Sequence, residues 1–561
     1  MKKLTSLFIF CLLSGTFFFT GCGNKKQKPM ETPQEKIAKA EILTEAPTNP
    51  FLAKGDYSVE HFNSAQTNSF SLPVKEQSFQ VYANQLKEVL PVILPSMLLN
   101  STSNGYYWLT DLKSAYYINT TNDSFKQVGR ISLSGKMSDT LSTRDISAFA
   151  DTFYTTGAEL EKATKNIFGK EYGAKRFNGR FPLVDKNNTL FTFYNQSLIA
   201  INLVNSDDPT KGLKISKSLD LSDLIKKDDK VVGLQMSYDG YLILNTEQGH
   251  FCVVNRDSLT IRNHLQVIPV QKFFSGVAID DKNGVYAVSD SLMFKMVWNG
   301  TTLSVNESDG AWSCPISFDK NPEIATQGGG LLATPVLMGF GNDPDKLVVI
   351  CDGAARTNLV AFWRDSIPTN FQQKVGTPSP RVAGMIEVKL GLTSATMPPY
   401  VQSYHTLPVL GYGALFVNSI NGYPAPVSIP ELALQGSILP NAKGVERFQW
   451  DYENNEWLSV WANPGMGCSA MQPVVNTNRK LFLLNAFNSD NQEEGWSVKG
   501  YDWYSGDYKN QVVFSSFTQY GNGGKGYFQY LPDGDMIFNS IAGTYRLTFG
   551  EERGLNQAPR L

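Results

Sequence analysis

The densest run of side chains able to bind or transfer anything is Cys351-Asp352-Gly353-Ala354-Ala355-Arg356-Thr357-Asn358, continued by Trp363-Arg364-Asp365. It follows the apolar run Leu347-Val348-Val349-Ile350, which has the composition of a strand and places Asp352 just past a strand end. A carboxylate, a guanidinium and an amide gathered there could hold a cation or orient a carboxylate or sugar. The same residues also fit a purely architectural role: Asp352-Gly353 as a hairpin turn, Arg364-Asp365 as a surface ion pair and Trp363 as an apolar wedge. A second cluster runs from Trp450-Asp451-Tyr452 through Trp457 and Trp461 to Asn463 and Gly467-Cys468-Ser469. Its aromatic faces and amides would suit a sugar or a flat cofactor, or would pack between sheets. His405, in the Pro-rich stretch 367–407, is the best single candidate for proton transfer, although no partner stands beside it in sequence.

Other chemistries are excluded by what is missing. The four histidines, His61, His250, His264 and His405, have no metal-ligand spacing in sequence, and the six cysteines form no Cys-x-x-Cys. There is no Gly-x-Ser-x-Gly, no His-Glu-x-x-His and no phosphate-binding Gly-x-x-x-x-Gly-Lys-Ser/Thr; Gly521-Asn-Gly-Gly-Lys525-Gly is a hairpin loop by composition. Fifty Lys and Arg against 52 Asp and Glu leave no pooled basic surface, so nucleic acid is not an expected partner. With 42% hydrophobic, 12% aromatic and 18% charged residues over 561 positions, the chain can bury a large core.

The chain opens with Lys2 and Lys3, an apolar run from Leu7 to Leu13, and then Phe19-Thr20-Gly21-Cys22. The run is too short to span a bilayer and has the build of an export signal. Its end resembles the bacterial lipoprotein box. That resemblance implies cleavage before Cys22, a diacylglycerol on its thiol and acylation of the new N-terminus, such as palmitate; two or more chains hold a protein stably on a membrane. Gly23 rather than Asp follows the cysteine, which by similarity favours the outer membrane. Residues 22–50 are polar with scattered Pro, the composition of a flexible tether carrying a body from residue 51 onward. Of the remaining cysteines, Cys314 and Cys468 stand in loop-like contexts and Cys252 and Cys351 in apolar runs, so one disulfide, Cys314 to Cys468, is expected.

The elements that must position these groups are strands. Past residue 180 a β-rich run, a turn with Asp, Asn or Gly, and a second β-rich run recur, with turns at Asp185, Asp239, Asp280, Asp343, Gly411, Asn476 and Asp533, about 58 residues apart on average. Ten Asn-Gly or Asp-Gly dipeptides provide positive φ angles for tight hairpins. Helix-like pieces occur only at 81–99, interrupted by Pro91 and Pro95, and at 158–170. Parallel α/β folds need a helix after each strand, so the expected fold is all-β: a β-propeller of seven or eight blades with long inter-strand loops. Residues 51–180 leave room for one or two further blades, one of them around Tyr106-Tyr-Trp-Leu and Ala115-Tyr-Tyr-Ile.

Thr334-Pro-Val-Leu-Met-Gly339, Asp352-Gly353, Phe362-Trp-Arg-Asp365, Gly444-Val-Glu-Arg447 with Trp450-Asp451, and Tyr501-Asp-Trp-Tyr-Ser-Gly506 together resemble bacterial propellers related to quinoprotein dehydrogenases and strictosidine-synthase-like proteins. The resemblance implies an axial site that takes a quinone, or a Ca²⁺ held by Glu446, Asn358 and Asp352. The adjacent cysteines typical of quinoprotein dehydrogenases are absent. The expectation is therefore a cell-envelope lipoprotein that binds or scaffolds an envelope protein or glycan and needs no cofactor. The alternative is a quinone- or Ca²⁺-dependent propeller enzyme.

Overall fold

Most of the recurring turns are closed by a side chain, and this is why the repeat is visible. In the computed structural model, Asp185 Oδ1 accepts from the amides of Asn187 and Thr189, and Asp280 Oδ1 from those of Lys282 and Gly284. Asn476 Oδ1 accepts from Arg479 N, and Asp533 Oδ1 from Asp535 N. Short polar side chains that capture the amides ahead of them bend the chain locally, whatever surrounds it. All seven turns join the first and second strands of a sheet. A second family of turns closes the third strand onto the fourth in the same way, through Asn119, Asn255, Asn299, Asp451 and Asp502.

The structure describes residues 31–32, 35–37, 43–82, 86–92, 97–134, 143–152, 154–168, 181–317, 333–421, 429–488, 495–514 and 518–549. Among them the strands form eight sheets, each with a core of four antiparallel strands. In chain order, sheet 1 spans 97–132, sheet 2 183–220, sheet 3 231–266, sheet 4 278–315, sheet 5 336–387, sheet 6 409–468, sheet 7 474–514 and sheet 8 528–547. Apolar side chains fill every gap between neighbours. Leu198 and Leu244 meet between sheets 2 and 3, Trp363 and Trp450 between 5 and 6, and Val445 and Phe482 between 6 and 7. Leu98 and Tyr107 of sheet 1 pack with Leu531 and Ile537 of sheet 8. The ring therefore closes, and the body is a β-propeller.

Closure uses the N-terminal part of the chain. Sheet 8 takes its outermost strand, Lys87–Leu90, from there, and sheet 7 gains Phe79–Val81 on its outer edge and Ser69–Phe70 on its inner edge. The helix-like stretch at 81–99 thus has no helix among its described residues, and Val81, 87–90 and 97–99 are strand: β-pairing partners far along the chain override its local pattern. The second helix-like piece is a helix, Gly157–Phe168, and Thr143–Asp151 and Ile429–Leu434 are helical too. Phe149, Leu160 and Leu432 from these helices pack with Ala470 and Ile541 over one mouth of the ring. Among the described residues no helix is long and apolar enough to cross a membrane.

Candidate functional site

The inner edge of a propeller's first strands presents a ring of backbone groups to the axis, and those groups need partners. Here the partners come from residues 49–70. Val184 N donates to Ser58 O, Ile279 N to Ser64 O, Leu337 N to Ala65 O, Val409 N to Thr67 O and Val475 N to Asn68 O, at 2.8 to 3.0 Å. Asn49 Nδ2 donates to Met236 O at 2.8 Å, Asn100 N to Tyr57 O at 2.8 Å and Tyr530 N to Tyr57 Oη at 2.9 Å. One segment of the chain thereby bonds to the first strand of all eight sheets, which is possible only where those strands face a common axis.

The segment is packed as core. Tyr57, Val59, Phe62, Asn68 and Phe70 are buried, and Tyr57 meets Phe62 edge to face with ring centroids 4.9 Å apart. His61, Phe62, Gln66 and Asn68 all adopt positive φ. Such backbone is unfavourable outside glycine, and the surrounding bonds hold it there. His61 Nδ1 lies 3.0 Å from Asn68 Oδ1, and His61 Nε2 lies 3.3 Å from Thr406 Oγ1, so this histidine is held at the axis by polar contacts.

Beside this segment, at the mouth ringed by the first-to-second strand turns, is a cavity of about 210 Å³. Its polar lining is mostly amide and hydroxyl: Asn63, Ser64, Thr67, Ser69 and Asn49. Asn63 Nδ2 donates to Thr67 Oγ1 at 2.6 Å, and the Thr67 and Ser69 hydroxyls are 2.5 Å apart. Among the described residues Glu45 and Asp56 are the only ionisable groups in the lining, so these offer an anionic ligand no counter-charge. Residues 43–49, assigned from sequence to the tether, form one wall: Thr44 N donates to Asp343 Oδ1 at 3.0 Å and Tyr238 Oη to Pro47 O at 2.7 Å.

The residues singled out from sequence do not gather here. Asp352 and Asn358 are in contact, the amide Nδ2 donating to Oδ2 at 2.7 Å, and Asp352 Oδ1 also accepts from Asn358 N at 2.8 Å and Ala354 N at 3.2 Å. Burial raises the Asp352 carboxyl above its ordinary range, against the pull of these donors. Arg356 donates to the carbonyls of Pro398 and Met397. Glu446, on sheet 6, accepts from Lys389 N, Leu390 N and Ser459 Oγ and ties its sheet to the loop after sheet 5. Trp363 is a buried wedge against Trp450.

Arg364 and Asp365 stand at the opposite end of the six-residue strand Asn358–Trp363, about 20 Å from Asp352 at the rise of a strand. Arg364 Nη2 donates to Gly339 O, and Asp365 pairs with Lys282 and Lys295 at 3.2 Å each. Burial pushes the Asp365 carboxyl up, but the two lysines hold it below its usual range. His405 is buried and its Nε2 has no hydrogen-bond partner; desolvation lowers its pKa to about 3, so it is neutral at physiological pH.

The Ca²⁺ set does not fit this arrangement. Glu446 is on another sheet, and the Asp352 oxygens are directed at N–H donors, whereas a cation needs converging lone pairs. A quinone in the axis would have to displace residues 49–70. The one close group of three or more potential metal ligands among the described residues, Asp123, Asp533 and Asp535, surrounds the Arg546 guanidinium, which pairs with all three at 2.6 to 3.4 Å. That group joins sheet 8 to sheet 1 as an ion-pair network.

The expected disulfide is not formed. Cys314 lies in the strand Trp312–Pro315 of sheet 4 and Cys468 at the end of Glu456–Cys468 in sheet 6, with sheet 5 between them. Both contexts are strands rather than loops, and strands of non-adjacent sheets hold thiols beyond bonding reach. All four cysteines of the body are buried and free. Cys22 lies outside the described residues.

Sequence reasoning missed the axial segment. Its signal, a stretch rich in Asn, Gln, Ser and Thr studded with Phe and Tyr, is also that of an ordinary loop.

No family model matches the chain. An uncharacterized protein of Archaeoglobus fulgidus is 27% identical over 298 residues, 50% of this chain and 53% of its own length, so the chain spans about half of that relative. Among solved structures, the quinohemoprotein alcohol dehydrogenase of Comamonas testosteroni has a TM-score of 0.46 at 9% identity, covering 90% of this chain and 79% of that one. The C-terminal WD40 domain of Sif2 has 0.44 at 9% identity, over 85% and 98%. BamB from Moraxella catarrhalis has 0.35 at 8%, over 64% and 94%. At these identities the likeness concerns the fold alone.

Proposed function

We propose that the chain is an eight-bladed binding or scaffolding propeller, held on the membrane of a bacterial cell envelope by lipid on Cys22. The observation that carries this reading is the axial segment: residues 49–70 fill the channel and satisfy the first strands of all eight sheets, leaving binding to the two mouths and the rims. The cavity beside that segment supports a partner that is neutral or cationic, such as a glycan end or a basic loop, because its lining pairs hydroxyls and amides with two carboxylates.

The experiment is affinity capture from envelope extracts with the soluble body, residues 31–561. A stoichiometric protein or a glycan, captured by the wild type and lost with Asn63→Trp at the cavity wall, is the expected result. Capture of neither, together with a gain in thermal stability on adding Ca²⁺ or a quinone, would replace this reading with the enzymatic one.

A further inference from the structure

Two of the four histidines, far from the axis in sequence logic and unused by the reading above, meet on the outer half of sheet 3. His250 lies in the strand His250–Asn255 and His264 in its hairpin partner Thr260–Gln266. The pairing is antiparallel, with Cys252 opposite His264 and Gln266 opposite His250, so the two imidazoles project diagonally from one face. Their rings are nearly coplanar and meet edge to edge, with centroids 5.2 Å apart and planes 14° apart, and His250 Nδ1 lies 3.0 Å from His264 Nε2. His264 is exposed and His250 half-buried, so solvent ions reach both.

We propose that His250 and His264 form a surface site for one late divalent transition-metal ion, Cu²⁺ most strongly, with Ni²⁺ and Zn²⁺ weaker. Imidazole nitrogens sit about 2.0 to 2.1 Å from such ions, so two of them bound at a right angle are about 3 Å apart. That is the separation already present, and turning the two rings swings lone pairs that now face each other along the N···N line onto a common ion. Without an ion, one nitrogen of the close pair carries a proton and donates it to the other. Binding needs the tautomers with protons on His250 Nε2 and His264 Nδ1, which frees both facing lone pairs without net proton loss. The antiparallel strands hold the two residues side by side before the ion arrives, so binding has only the two rings to turn. Among the described residues no third His, Cys, Asp or Glu approaches closely enough to complete the set, so water fills the remaining positions.

The test uses the soluble body without a polyhistidine tag, stripped by chelator and titrated calorimetrically with Cu²⁺ and with Ni²⁺, with electron paramagnetic resonance on the copper form. One Cu²⁺ per chain with nitrogen hyperfine structure is expected, and at least a tenfold loss of affinity in both His250→Gln and His264→Gln, whose metal-free melting temperatures stay at the wild-type value. His61→Gln, at the axis, leaves binding intact. Copper affinity unchanged in both sheet 3 variants, or no nitrogen ligation in the wild type, overturns the proposal.

Discussion

At the scale of single residues, polar side chains that looked suited to catalysis work as ties. Asp352 closes its own turn, Glu446 fastens a loop to the neighbouring sheet, and Arg364 is spent on a carbonyl. His405 differs, because its ring is buried with one nitrogen unpaired. Burial holds its folded-state pKa near 3, below the unfolded value of about 6.5, so the folded protein binds this proton less readily than the unfolded chain. Stability from this residue is complete above pH 6.5 and is lost progressively as pH falls from there toward 3. From pH 7 to pH 5 the loss is about 2 kcal/mol. Urea denaturation of wild type and His405→Gln should show their stability difference shifting by that amount in favour of the variant at pH 5. A difference independent of pH would mean that His405 is solvated.

At the scale of elements, the axial segment does what a sheet edge ordinarily leaves to water. Tyr57 shows this most directly: its carbonyl and hydroxyl accept from sheets 1 and 8, and its amide donates to Asn100. Tyr57→Phe leaves the buried Tyr530 amide unpaired and should cost about 1 to 3 kcal/mol, seen as a lower denaturation midpoint at unchanged slope. Phe62→Ala should cost about 3 to 5 kcal/mol through the lost ring and the cavity left behind. A body begun at residue 43 should fold with full stability. One begun at residue 71 should not, since several inner-strand amides and the aromatic cluster lose their partners together; a cooperative melt of that shorter body at the full-length temperature would show the segment to be dispensable.

At the scale of the whole molecule, ring closure joins the two ends of the chain. Sheets 7 and 8, the last in sequence, receive strands from residues 69–90, so neither end can leave without opening the ring. Residues 43–49 lie across the mouth ringed by the first-to-second strand turns. Cys22→Ala should therefore leave the body folded and change only its address: no acyl label, and an uncleaved precursor or a soluble form in place of membrane fractionation. Equal fractionation of both proteins, with no acyl label in either, would remove the anchor from the proposed function.

The sequence alone determined what depends on neighbours along the chain. The seven Asp, Asn and Gly turns, the strands beside them, the sheet around Tyr106 to Ile118 and the helix after residue 157 follow from φ preferences, amide-capturing side chains and apolar patterning, and these act over a few residues. Tertiary structure decided whatever needed residues from distant places. Where the inner strands find their hydrogen-bond partners, which sheets take the N-terminal strands, why Cys314 and Cys468 never meet and why Asp352 and Glu446 stand on different sheets all depend on position around the ring. The histidine pair lies between these cases: His250 and His264 flank one hairpin almost symmetrically, but only the register of that hairpin brings their nitrogens to 3.0 Å. The axial segment is the extreme case, because its eight sets of contacts span separations up to more than 470 residues, and no local rule relates a residue to a strand that the chain has yet to form.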